Sequence, residues 1–226
     1  MVGREAFTAL EAESEALSEV LHGLGGSDFE RATNCPPWDL AELVVHIAMS
    51  IQVDGPPPPA TAGGTLVPAA GYYRRPERDT RQYRQGNVDR TQEVAAAVLP
   101  TTSPAHWFDQ ARAGTVTTLS RCDPGQVVDI SGVGPMTLTD WVITRVMSLA
   151  AHGLDVAITL DRPPWTTRAA LAATTPVLVA LLGMPPPPEL GWDDRALLAA
   201  GTGRRPLTEN ERRTLGPTHL RFPLLS

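Results

Sequence analysis

The strongest alternation of apolar and polar positions runs from Thr137 to Leu160, TLTDWVITRVMSLAAHGLDVAITL. At about 100° per residue, Val142, Ile143, Val146, Met147, Leu149, Leu154, Val156 and Ile158 cover roughly three quarters of a helical wheel. The rest is a polar stripe of Arg145, Ser148, His152, Asp155 and Thr159, spaced so that they lie one above another. A helix apolar on its other sides is normally buried. The stripe is then either a narrow solvent face or the wall of a pocket. Thr137, with Asp140 three residues on, reads as the helix start.

The other segments follow the same helical period. Arg4 to Gly23 places Phe7, Leu10, Leu17, Val20 and Leu21 on one side and Glu11, Glu13 and Glu15 between them. A second helix is expected from Trp38 to about Val53, with Leu40, Val44, Ile47 and Ile51 as its stripe. His46 falls about 120° from that stripe, on a flank. Asp54 to Tyr73 is rich in Pro, Gly and Ala and reads as a long loop. Its Tyr72-Tyr73-Arg74-Arg75 edge could close over a pocket or lie on the surface. Arg81 to Leu99 reads as a third helix, with Val88, Val94, Ala95 and Val98 inward. Ala105 to Ser120 continues the layer as a shorter helix. Val127 to Ile130 reads as a short extended segment ended by Gly132, Gly134 and Pro135. Leu171–Leu182, Asp193–Ala200 and Thr208–Leu215 supply a helical tail. No βαβ alternation, repeat or phosphate-binding loop is present in the sequence. The pattern predicts an all-α fold.

Composition narrows the function. The formal charge is −6 and the pI about 5.4, which argues against nucleic acid as a partner. No uninterrupted apolar run reaches the ~18 residues of a membrane span, and the first residues lack the apolar core of a signal peptide. Cys35 and Cys122 form no disulfide or zinc-ribbon pattern. A cytoplasmic protein with a small-molecule ligand is expected, as monomer or homodimer. Every basic residue is Arg, consistent with the coding bias of a GC-rich genome. Cys35 is expected to be a small buried hydrophobe, and Trp38 and Trp141 core anchors.

Three stretches carry a family resemblance. Cys35-Pro36-Pro37-Trp38-Asp39-Leu40 leading to His46 resembles the start of helix two in the DinB-like, mycothiol-dependent maleylpyruvate isomerase superfamily. Arg145 to Ala157 resembles that family's R-x-x-E-L-x-x-H-G-x-D-x-A helix. The tail segments Gly191–Asp194, Thr202–Thr208 and Arg221–Leu225 resemble tails common in the group. The resemblance implies a DinB-like four-helix bundle over residues 1–160 and a helical C-terminal extension, 161–226, packed on it. It also implies a divalent metal, usually Zn2+, held by a His of helix two and a Glu and a His of the fourth bundle helix, and mycothiol or a similar low-molecular-weight thiol as cofactor.

Carried over by position, the metal histidines are His46 and His152, and the Glu position is Ser148. A neutral hydroxyl is a poor zinc ligand. Asp155 lies on the same side of the helix but about 4.5 Å beyond His152, whereas Ser148 lies roughly 6 Å before it. A supporting hydrogen bond suits Asp155 better than ligation. Arg145 could hold an anionic substrate or polar groups of the thiol, or form a salt bridge with Asp140 or Asp155. Arg204 and Arg205 could reach an acidic substrate or be solvated. Three readings follow. The first is a thiol-dependent isomerase or transferase. The second is a metal-free variant using His152, Asp155 and Arg145 for acid–base isomerisation or cyclisation. The third is a non-catalytic small-molecule binding protein.

Overall fold

The computed structural model describes residues 3–53, 55–60 and 63–225, so Asp54, Thr61 and Ala62 of the expected loop lie outside the described residues. The chain is all-α with one small hairpin. In order it forms α1 (Arg4–His22), α2 (Leu40–Ile51), α3 (Ala69–Tyr73), α4 (Arg81–Val98), α5 (Pro104–Ser120), β1 (Val127–Ile130), β2 (Gly134–Thr137), α6 (Leu138–Thr159), α7 (Arg168–Leu182), α8 (Asp194–Gly201) and α9 (Glu209–Leu215).

Four helices make the bundle. α1 packs on α5 and α6, and α2 packs on the same pair. Leu10, Leu17 and Leu21 of α1 meet Leu40, Leu43 and Ile47 of α2, Phe108 of α5 and Val142, Val146 and Leu149 of α6 in one core. The third bundle position belongs to α5, not to the Arg81–Leu99 segment, and α5 is a full helix of 17 residues. α4 packs mainly on α2 and buries only Thr91 and Ala95. Its Arg, Gln, Asn and Glu residues surround the helix and leave too narrow an apolar stripe for a bundle interior. α5 offers Phe108 and Leu119 and takes the place.

Local chemistry moves several boundaries. α2 begins at Leu40, not Trp38, because Asp39 is its N-cap: its carboxylate accepts from Glu42 N, and Glu42 reaches back to Asp39 N. Trp38 therefore stands outside the helix. Gly134 and Pro135, expected to end the extended segment, instead begin a second strand, β2, which pairs antiparallel with β1 across the 131–133 turn. Thr137 ends that strand and caps α6, accepting from Asp140 N. The expected loop contains α3, tied to α6 by Ala69 N donating to Asp140 Oδ1. Glu13, expected on the polar face of α1, is buried at 1% exposure and accepts from Thr167 N, fixing the start of α7. Burial raises its pKa.

α6 is the central element. By length and composition it could cross a membrane, with a mean hydropathy of 1.3 over its most apolar 18 residues, although charged residues interrupt its apolar runs. Two thirds of that stretch (67%) is buried inside this fold, as in the core helix of a bundle. α7 packs on α1 and α6, and α8 on α7.

Candidate functional site

The α6 stripe opens onto a cavity of about 780 Å³, walled also by α2, α3, α4 and the C-terminal segment. The volume is in the usual range for a small-molecule site.

His46 reaches it from α2. Its flank position turns it away from the apolar stripe and toward α4, where Nδ1 meets Thr91 Oγ1 at 3.1 Å. Trp38, displaced from the helix by the Asp39 cap, stacks on the imidazole with ring centroids 4.4 Å apart. Burial, and then the neighbouring His152, lower its pKa to about 3, so His46 is neutral at physiological pH. The remaining ring nitrogen is Nε2.

His152 faces it edge-on, with ring centroids 5.0 Å apart. Its Nδ1 lies 2.9 Å from Asp155 Oδ2. Asp155 is fully buried and sits at the centre of a cage. Arg204 forks onto it, Nε to Oδ1 at 3.0 Å and Nη2 to Oδ2 at 2.6 Å, while Asn34 Nδ2 donates to Oδ1 at 2.8 Å. Burial alone would raise the Asp155 pKa, but the hydrogen bonds from His152 and Arg204 outweigh it and hold the carboxyl well below the usual range. The carboxylate is thus a fixed anion that orients His152, and Arg204 is committed to it. Arg205 pairs with Glu211 instead.

Ser148 Oγ donates to Ser50 Oγ at 2.9 Å, one turn before His152. Arg145 lies a further turn back. Its guanidinium donates to Thr144 Oγ1 through Nε and Nη2 and to the Ser50 carbonyl through Nη1. The expected salt bridge to Asp140 or Asp155 is not formed: the first carboxylate accepts from Ala69 N and Thr137, and the second from Arg204.

The sequence profile of the mycothiol maleylpyruvate isomerase N-terminal domain matches residues 10–157, the bundle that carries both histidines. The chain belongs to that family. No match was found among curated proteins or among solved structures.

Membership raises the question of a metal. Cys35, His152 and Asp155 bring ligand atoms within 4.8 Å of one another. One feature opposes a cation there: the Asp155 oxygens are already bonded by Arg204, Asn34 and His152. Burial, reinforced by Asp155, pushes the Cys35 thiol up to about 12, so without a cation beside it the thiol is neutral. At the position where the family pattern has a carboxylate, this chain has the neutral Ser148 hydroxyl, which is bonded to Ser50. A catalytic zinc of the family type does not fit this donor set. Ser148→Glu is expected to create stoichiometric zinc binding, read as metal content after dialysis, while the wild type retains little. Stoichiometric zinc in the wild type, lost in His46→Ala, would reverse the conclusion.

Ser50, Thr144 and Ser148 line the cavity with neutral donors and acceptors. Several residues here carried no signal in the sequence. Thr91 and Asn34 act through contacts with residues far along the chain, and the approach of Cys35 to Asp155 depends on the loop before α2. Cys35 is only partly buried and abuts the site, where the sequence suggested a plain core residue. Helical periodicity is blind to such contacts.

Proposed function

We propose that the protein is a small-molecule enzyme that uses a low-molecular-weight thiol to isomerise, or to become attached to, an electrophilic substrate, with His152 as acid–base. The observation that supports this most directly is the Asp155–His152 pair, buried on one side, open to the cavity on the other and facing a neutral His46. When bound, the thiol supplies a nucleophile that adds reversibly to an electron-poor carbon.

The chain's own groups move the proton. Asp155 accepts at Nδ1 of His152, which fixes the tautomer with its lone pair on Nε2. That nitrogen takes the thiol proton as the sulfur attacks. It returns the proton to the departing sulfur in an isomerisation, or to the adjacent carbon in a transfer. His46, held by Thr91 and Trp38, keeps a second uncharged imidazole beside it. Proton transfer to the histidine does the work that a metal does when it lowers a thiol's pKa. A reducing cytoplasm suits such chemistry and the two free cysteines.

The test is thiol consumption and product formation with a panel of conjugated electrophiles. Turnover should require added thiol and persist in the presence of a chelator. Turnover abolished by the chelator and restored by zinc would overturn the metal-free route. Conversion without any thiol would favour the second reading, acid–base isomerisation or cyclisation. That reading has support in the same pair, because the Asp155–His152 couple is complete without an added group.

A further inference from the structure

Five arginines line the cavity, Arg78, Arg84, Arg90, Arg145 and Arg204, and among the described residues no Asp or Glu does. This is unexpected in a chain with a net charge of −6. Arg204 is neutralised by Asp155. Among the described residues Arg145 has no such partner: its hydrogen bonds go to the Thr144 hydroxyl, the Ser50 carbonyl and the Tyr72 phenol, neutral groups that leave the positive charge without a counter-ion. A partly buried cation without a counter-ion is unfavourable unless a ligand supplies the charge.

Tyr72 stands beside it. The Arg145 guanidinium carbon is 5.3 Å from the Tyr72 ring centroid, with Arg75 at 4.4 Å and Arg78 at 5.2 Å. Burial would raise the pKa of this phenol, but Arg145, and then Arg78 and Arg75, outweigh it and lower it, making the hydroxyl a better hydrogen-bond donor. Trp38 and Trp107 also line the cavity, and each has a buried indole Nε1 without a partner among the described residues. The cavity is thus rich in donors and short of acceptors.

We propose that Arg145 and Tyr72 form an anion subsite and that the substrate enters it with a carboxylate or a phosphate group. The guanidinium offers its remaining N–H groups and the phenol its O–H to the same anion. The stripe then divides the labour: Arg145 holds the anionic group, and His152, two turns further along α6, faces the reacting carbon. This inference rests on reading the cavity as the active site.

Calorimetric titration with inorganic phosphate and with succinate tests it. At least one probe should bind with one-to-one stoichiometry, and the tighter one identifies the anionic group. Arg145→Gln is expected to weaken binding at least tenfold, and Tyr72→Phe about threefold or more. Arg212→Gln, on the far tail helix, should bind as the wild type does. Failure of both probes to bind the wild type would overturn the subsite, as would wild-type affinity in a folded Arg145→Gln. If Arg145→Gln does not fold, Tyr72→Phe carries the test, since it removes only a hydroxyl, and unchanged affinity there has the same force. The His152→Ala protein separates the two ideas. If it loses turnover while Arg145→Gln leaves anion binding unchanged, the subsite fails and the functional reading stands. If it keeps turnover while Arg145→Gln loses the anion, the reverse holds.

Discussion

Replacing His152 with Ala is expected to lower turnover by about 10²–10⁴-fold, the usual contribution of a positioned acid–base group. The change removes the imidazole that stands between Asp155 and the cavity, and His46 cannot replace it. The ring of His46 is held by Thr91 rather than by a carboxylate, and its pKa of about 3 makes it a weak base. The loss should fall on kcat more than on KM, because His152 acts on the moving proton. Stability should change little, since Asp155 keeps Arg204 and Asn34 as partners. Initial rates and a melting curve on the same preparation separate these effects. Turnover within about threefold of the wild type would remove His152 from the mechanism.

Asp155→Ala is expected to destabilise the fold by about 3–5 kcal/mol, because it leaves the partly buried Arg204 cation with only the Thr202 carbonyl and no counter-ion. In a chain of this size that corresponds to a fall in Tm of roughly 10 °C. The side chain of Asp155 is fully buried and that of Arg204 is 18% exposed, so solvent screens the pair little. The sign of the pH dependence follows from the depressed carboxyl. Its contribution is fully present above the ordinary Asp pKa near 4 and is lost as pH falls through the folded value. His46 adds a second acid-labile window at higher pH. Its pKa is lowered from 6.5 to about 3, so between these values the unfolded chain binds a proton that the folded chain refuses. Melting temperatures measured from pH 7 downward should therefore begin to fall below about pH 6.5. The slope below about pH 4 should be shallower in Asp155→Ala. A Tm for Asp155→Ala within 2 °C of the wild type would show that the cage contributes little.

Both effects trace back to helical periodicity. The stripe on α6 was legible because Arg145, Ser148, His152 and Asp155 recur every three or four residues in an otherwise apolar segment. The motif around Cys35 and His46 made the second wall legible by resemblance. α4 and α5 have similar lengths, and the sequence does not say which of them lies inside the bundle. Packing resolved it: Phe108 and Leu119 belong in a core, and the Arg- and Gln-covered surface of α4 does not.

By itself, the sequence determined the long helices, the caps at Thr137 and Thr208, the all-α class and the family, because each depends on residues a few positions apart. It also contained the substitution that separates this chain from the family's metal site, Ser148. Only the tertiary structure decided what the polar stripe faces, that Arg204 is committed to Asp155, and that Arg145 keeps an uncompensated charge beside Tyr72. Those contacts join residues from 49 to 98 positions apart, as Arg204–Asp155 and Ser148–Ser50 show. Local periodicity holds no record of partners that distant, and the balance of charge in a cavity exists only once the walls have met.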